Sequence, residues 1–186
     1  SISISSLRSN SAIQGIRQNN PIQNKIFDPN NIDDFISQLK EPLLKAVMYI
    51  AANQDDKALE ILENKLKAEP NSISAGLIEA SILAQQAKLD QAVVLLAKIQ
   101  SFSPDPATQQ IVDGAIVYYS RNINFARNQE ALKAAREAAM RLTKGQFYQS
   151  GYRETLIEIM TNFLGLKDEA TLFAQKTTST MSNPSV

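Results

Sequence analysis

The chain contains no cysteine, no histidine and no tryptophan among its 186 residues. A Ser-His-Asp triad or a Cys-His pair therefore cannot be assembled from it. The usual zinc and haem sites also need cysteine or histidine ligands. We expect a non-catalytic protein without a bound metal or cofactor. Because no disulfide can form, the cytoplasm and the bacterial periplasm or cell envelope are both compatible locations.

The chain also lacks an excess of either charge and a long apolar run. Lys and Arg together number 19, as do Asp and Glu, so the formal net charge is zero. Nucleic-acid-binding proteins usually carry a basic surface, so we expect no nucleic-acid partner. No run of eighteen apolar residues is present, so we expect no membrane span. The longest candidate, "PLLKAVMYIAA" at 42–52, contains Lys45 and favours a buried helix.

Composition divides the chain into three parts. Residues 1–30 are rich in Ser, Asn and Gln with isolated Ile, which predicts a polar N-terminal tail that packs on the domain or on a partner. Its first residues, "SISIS", alternate with period two and favour a short strand or an extended segment. Residues 31–176 carry apolar residues at helical spacing and predict an all-α domain. Residues 177–186 predict a flexible C-terminal tail.

Helix start and stop signals divide the domain further. Asn31 can cap a helix that begins at Ile32, and Pro42 suits the first position of the next helix. The remaining predicted helices cover 55–69, 73–87, 90–102, 107–120, 129–145, 148–164 and 167–176.

One short pattern occurs twice at an interval of thirty-four residues. "QDDKALEIL" begins at Gln54 and "KLDQAVVLL" begins at Lys88, and both read Asp-x-Ala followed by an apolar run that ends on Leu. Small residues are needed where two helix backbones approach closely, and proline ends a helix. Residues of the same kind recur at this interval: Ala46, Ala80 and Gly114; Ala58 and Ala92; Leu62 and Leu96; Pro70 and Pro104.

Over residues 39–104 this pattern resembles the tetratricopeptide repeat (TPR) family, whose period is thirty-four residues. The resemblance implies an all-α, right-handed superhelical stack of antiparallel helix pairs, a TPR-like α-solenoid of about seven to nine helices. Later in the chain the register slips, and five inserted residues are needed to align Ala131, Ala135 and Ala138 with the second-helix pattern.

In such repeats the first helix of each pair lines a concave groove that binds a peptide or a helix. In this chain the residues at the groove-facing positions are mostly apolar, so we expect an apolar peptide or amphipathic helix as the ligand. An apolar stripe can also be core, and residues 1–38 could fold back to fill it. The predicted groove residues are Lys40, Leu43, Val47, Ile50, Leu77, Ser81, Ile111, Ala115 and Tyr118.

Two functional hypotheses follow from the resemblance. The first is a non-catalytic scaffold for protein–protein interaction in a bacterial multiprotein assembly. The alternative is a chaperone for a secreted client, similar to the TPR-containing chaperones of type III secretion. Both make a protein or peptide the partner, and neither indicates an oligomeric state.

Charged and aromatic residues outside the groove suggest weaker sites. The acidic pairs Asp33-Asp34, Asp55-Asp56 and Asp168-Glu169 stand at predicted helix starts, where the helix dipole favours them without a metal. The charged residues between Lys133 and Arg141 predict a solvent-exposed helix face. Two aromatic segments remain: "YYSRNINF" at 118–125 is a candidate for stacking on a base or a peptide, and "GQFYQSGYR" at 145–153 is either a partner contact or a loop whose Phe147 and Tyr148 cap the helix junction.

Overall fold

The computed structural model describes residues 31–103, 105–145 and 150–181 of the chain. Within these ranges the secondary structure is helical, with nine α-helices and no strand. The prediction of an all-α fold with seven to nine helices is therefore confirmed for this part of the chain. The predictions for residues 1–30 fall outside the described residues. The chain divides into two units between Ala87 and Lys88.

Four helices of the first unit are described. Their bounds are α1 (Ile32–Ser37), α2 (Pro42–Ala51), α3 (Asp55–Ala68) and α4 (Ile73–Gln85). Helix α1 packs on α2, α2 packs on α3, and α3 packs on α4. Their shared core consists of large apolar side chains with alanines between them: Ile36, Leu39, Ala46, Met48, Ile50, Ala58, Leu62, Ala75 and Ile82.

Five helices of the second unit are described. Their bounds are α5 (Leu89–Phe102), α6 (Pro106–Tyr119), α7 (Gln129–Lys144), α8 (Ser150–Asn162) and α9 (Lys167–Met181), with short 3-10 turns at Ser120–Asn122 and Phe125–Arg127. Helices α5, α6 and α7 pack against one another. Helix α8 packs on α9 and also contacts α6 and α7.

An alanine stripe lets α7 approach its neighbours closely. Alanines occupy the buried side of this helix over more than two turns, and Leu142 is the last buried residue of the stripe. Side chains of one carbon permit shorter distances between helix axes than leucine or isoleucine would. The buried alanines are Ala131, Ala134, Ala135, Ala138 and Ala139.

The predicted helix ends agree with the structure to within two residues, except at the end of the last helix. Pro42 and Pro106 occupy the first turn of their helices, as a residue without an N–H can. Asn31 precedes a helix that begins at Ile32, as predicted, but its side chain makes no capping bond to the helix backbone and instead donates to Asp34 Oδ2 at 2.6 Å. Helix α9 ends at Met181 and not at Lys176, so part of the predicted tail is helical.

The thirty-four-residue interval also appears in the backbone. Asn53 and Ala87, which follow α2 and α4, both adopt the left-handed conformation, with φ of 61° and 60°. Among non-glycine residues this conformation is uncommon, so its recurrence at that interval shows that two turns of the same kind follow the two helices. In the repeated pattern, Ala58 and Ala92 are fully buried, each within its own unit.

At the third small position the expectation of close packing is wrong. Ala46 and Ala80 are buried, as expected where helices approach closely. Gly114 is only half-buried, and a Cβ atom at this position would meet no atom within 4 Å. Glycine is therefore not required there by its neighbours. By contrast, Gly165 has φ of +65°, and its Cβ would lie 3.2 Å from Arg136 Nη2.

Substitution by alanine should change the stability of the protein in opposite directions at these two glycines. Gly114→Ala should stabilise the protein by about 0.5–1 kcal/mol, because glycine is the weaker helix former and the space is open. Gly165→Ala should destabilise it by about 1 kcal/mol or more, because alanine is strained in the left-handed region. Urea denaturation of dilute protein measures both changes. Equal effects of the two substitutions would contradict this description of the two sites.

Candidate protein-binding surface

One side of α6 presents large apolar side chains to solvent. Ile111 is 67% exposed and Tyr118 is 53% exposed, while Thr108 and Ala115 between and beside them are half-buried. These positions lie on one side of a helix, since they recur at intervals of three and four residues. We call this side the α6 face; it consists of Ala107, Thr108, Ile111, Gly114, Ala115 and Tyr118 and carries no charged side chain.

The opposite side of α6 is buried. Val112, Ile116 and Val117 lie in the core of the second unit. At the start of the helix, Asp105 accepts hydrogen bonds from the backbone N–H groups of Ala107 and Thr108, both at 3.3 Å. The hydroxyl of Thr108 also donates to this carboxylate, and it contributes most to lowering the pKa of Asp105. The cap sets where α6 begins, and the burial of this apolar side leaves the opposite side exposed.

A partly buried ion pair connects α6 to α7. Arg141 donates from Nε to Oδ2 of Asp113 at 3.0 Å and from Nη2 to Oδ1 at 2.9 Å. The side chain of Asp113 is 4% exposed, whereas that of Arg141 is 38% exposed. Burial raises the pKa of Asp113, and the hydrogen bonds from Arg141 oppose that rise. The two parallel bonds fix both the distance and the rotation between the helices.

The expectation that the charges of α7 form a solvated face is wrong for Arg141 and holds for Arg136, which is exposed. Arg141 pairs with Asp113 as described. Arg136, although exposed, also donates from Nε to the backbone oxygen of Leu164 at 2.8 Å. That oxygen belongs to the turn between α8 and α9, so Arg136 ties the turn to α7. The expectation holds for Lys133 and Glu137, whose side chains are exposed and 4.0 Å apart.

Polar contacts border the exposed end of the α6 face. Arg121, in the 3-10 turn after α6, pairs with Glu158 of α8 at 3.0 Å. The rings of Tyr118 and Tyr119 meet edge to face, with centroids 6.0 Å apart. Within the "YYSRNINF" segment, then, Arg121 is bound to a carboxylate in the same unit and Tyr118 is half exposed.

The structure places the predicted groove residues of the first unit differently from those of the second. Ile50 and Ser81 are buried, so a ligand cannot touch them as the groove hypothesis requires. Ile50 belongs to the core between α2, α3 and α4. Leu43 and Val47 are partly buried against that core. The remaining predicted residues of this unit are Lys40, which is exposed, and Leu77, which is half-buried.

Glu79 is a buried acid that the sequence pattern did not indicate as a site. It lies on α4 and is 7% exposed, and no hydrogen bond or ion pair reaches it from the described residues. Burial raises its pKa to about 7, and the neighbouring charge of Glu63 on α3 adds to that rise. One signal was present: Lys45, Glu79 and Asp113 each stand directly before a small residue of the thirty-four-residue series.

The other sites suggested by the sequence are accounted for in part. Lys57 of α3 donates to Asp33 Oδ2 at 2.8 Å and lies 5.6 Å from the centre of the Tyr49 ring, so it joins three helices. The hydrogen bond from Lys57 is the main cause of the lowered pKa of Asp33.

Residues 146–149 of the second aromatic segment, "GQFYQSGYR", fall outside the described ranges. No helix described is long and apolar enough to cross a membrane.

No family model, no curated protein and no solved structure matches this chain. The TPR resemblance therefore rests on the repeat within the chain, and it stays a prediction.

Arg141→Met should destabilise the protein by about 2–4 kcal/mol, because it leaves the buried Asp113 carboxylate unpaired. In an Asp113→Asn background the same substitution should cost clearly less. Urea denaturation of the four proteins measures the coupling between the two residues. Lys133→Met, on an exposed pair of the same helix, is the control and should change the stability by at most about 0.5 kcal/mol. A loss for Arg141→Met as small as the control's would contradict the assignment.

Glu79→Gln should change how stability depends on pH. The pKa of Glu79 is about 7 in the folded protein against an ordinary value of 4.5, so the folded state holds this proton more tightly. The free energy of unfolding should therefore fall as the pH rises from about 4.5 to about 7. Glutamine removes this fall and should stabilise the protein by about 1–3 kcal/mol at about pH 8, with little effect near pH 4.5.

Urea denaturation of both proteins across this pH range tests the expectation. Glu63→Gln is the matched control on an exposed acid, and it should produce a smaller effect in the same direction. A Glu79→Gln curve parallel to that of the wild type at every pH would show that Glu79 titrates normally.

Proposed function

We propose that this chain is a non-catalytic scaffold that binds another protein, and that the α6 face receives an apolar, uncharged segment of that partner. The observation that carries the proposal is the exposure of Ile111 and Tyr118 on a helix whose other side is buried. Two large apolar side chains together on an uncharged face are the kind of surface that protein partners cover.

The chemistry of the face favours a protein as the partner. Tyrosine offers an apolar ring with a polar end, and it is enriched in the buried centres of protein interfaces. The face has no cation that would attract a phosphate and no carboxylate that would attract a base. An apolar helix or extended segment gains by covering Ile111 and Tyr118, because water leaves both surfaces.

We also propose that the helix pairs stack as a right-handed TPR-like solenoid. The recurrence of the left-handed turns after α2 and α4 and of the buried Ala58 and Ala92 supports this arrangement. In such a stack, α6 is the first helix of a pair, which is the helix that faces the groove. The predicted groove residues Ile111, Ala115 and Tyr118 all belong to the α6 face.

The non-catalytic part of the proposal is supported by the residue inventory. The chain has no histidine and no cysteine. The described residues contain no group of three or more acids that could hold a metal ion. Among the described residues the two buried acids are single carboxylates on different helices: Asp113 is paired with Arg141, and Glu79 lies in a buried position with a raised pKa.

Selection of a random-peptide phage library tests the proposed surface without knowledge of the natural partner. The full chain is immobilised at low density, so that neighbouring copies do not meet. We expect enriched peptides to be apolar or aromatic, and Ile111→Lys to weaken their binding at least about tenfold, which corresponds to about 1.4 kcal/mol. Leu172→Lys is the control, since Leu172 is equally exposed, at 66%, but lies on α9. Enriched peptides that bind both variants as well as they bind the wild type would overturn the proposal.

A further inference from the structure

The α6 face has a symmetric order of large and small side chains along the helix. Ile111 and Tyr118 are seven residues apart, which is about two helical turns. Gly114 and Ala115, the smallest side chains of the face, stand midway between them. Reading the face in either direction therefore gives the order large, small, small, large.

We propose that a second copy of this chain covers the α6 face, with the two α6 helices packed antiparallel across a two-fold axis near Gly114 and Ala115. This inference rests on the proposed function, because it names the partner of the same surface. A two-fold axis at this point brings Ile111 of one copy opposite Tyr118 of the other, and the reverse pair forms at the same time.

The small residues at the centre allow the two helices to approach. A Cβ atom on Gly114 would meet no atom within 4 Å, so the space above this position is open in the single chain. Glycine and alanine on both helices permit close approach of two backbones, which brings the flanking large side chains into contact. A large residue at the centre would hold the helices apart, and Ile111 and Tyr118 would then remain exposed to water.

Charge favours a second copy over a charged partner. Asp113 is the only charged residue within α6, and it lies on the buried side in its pair with Arg141. In the proposed dimer, each uncharged α6 face therefore meets an identical uncharged face. The chain as a whole also has zero formal net charge, so two copies do not repel each other at long range. Arg121 and Glu158, already paired at 3.0 Å, lie beyond the end of the face.

The arrangement also limits the assembly to two copies. When each copy uses the same surface, both surfaces are buried once the pair forms, and no further copy can add through them. A contact between two different surfaces would instead allow a growing chain.

Cysteine cross-linking tests the axis directly, since the chain contains no cysteine of its own. Ala115→Cys introduces a single thiol beside the proposed axis, where two copies bring their Cα atoms to a disulfide distance of about 4–7 Å. In dilute oxidised glutathione, which accepts the two electrons, we expect a disulfide-linked dimer on a non-reducing gel. Leu172→Cys, an exposed position on α9, should cross-link at least tenfold more slowly. Equal rates for the two variants would overturn the proposed axis.

Sedimentation equilibrium of the full chain measures the association itself. At about 100 µM, a Kd in the micromolar range leaves most of the protein dimeric. Ile111→Lys should raise the Kd at least tenfold and Leu172→Lys should leave it unchanged, while circular dichroism confirms that both are folded. A wild-type protein that stays monomeric at this concentration would overturn the inference.

The two proposals can fail separately. A monomeric chain whose selected peptides still depend on Ile111 would remove the second copy and leave the protein-binding surface in place. A monomeric chain whose selected peptides ignore Ile111 would remove both.

Discussion

The pairing of Asp113 with Arg141 determines how α6 lies in the second unit. A carboxylate that is almost completely removed from water is costly unless a cation satisfies both of its oxygens, and the guanidinium of Arg141 does so with two parallel hydrogen bonds. These bonds restrict the rotation of α6 about its own axis relative to α7. Once Asp113 points inward, Ile111 and Tyr118 on the opposite side must point outward. The candidate surface is thus a consequence of what lies on the other side of the same helix, namely this ion pair and the buried Val112, Ile116 and Val117.

The Asp113–Arg141 ion pair and the alanine stripe of α7 both help to hold α6 and α7 together in one orientation. Ala134 and Ala138, among others, let α7 approach its neighbours, and this closeness brings Arg141 within reach of Asp113. Larger side chains along the stripe would widen the gap and break the geometry of the pair. The polar contact therefore depends on apolar packing, and the orientation of α6 depends on both.

Glu79 and Asp113 stand at the same place in the thirty-four-residue repeat, yet only one of the two buried carboxylates is paired within the described part of the chain. Asp113 has an arginine partner, whereas no described side chain pairs with the buried Glu79. Both acids lie in surroundings that disfavour the ionised form, and in both the pKa is raised. Partner residues from another helix decide whether such a carboxylate is satisfied, and the spacing along a single helix does not show this.

Local sequence was sufficient to predict the helices and most of their ends. Two of the signals depend only on residues that are close together in the sequence. They are proline in the first turn of α2 and α6, and apolar side chains spaced three and four residues apart. The interval of thirty-four residues, with its buried Ala58 and Ala92, is likewise legible in the sequence because one turn and one packing position recur.

Which apolar residues face solvent depended on contacts between distant parts of the chain. Ile50 and Tyr118 occupy equivalent positions in the thirty-four-residue pattern, yet Ile50 is buried in the first unit and Tyr118 is exposed in the second. The difference arises because the core of the first unit encloses Ile50, whereas Asp113 and the buried apolar side of α6 face inward and leave Tyr118 on the outer side. Periodicity identifies an apolar stripe, but burial depends on which helices pack against it, and those helices come from other segments of the chain.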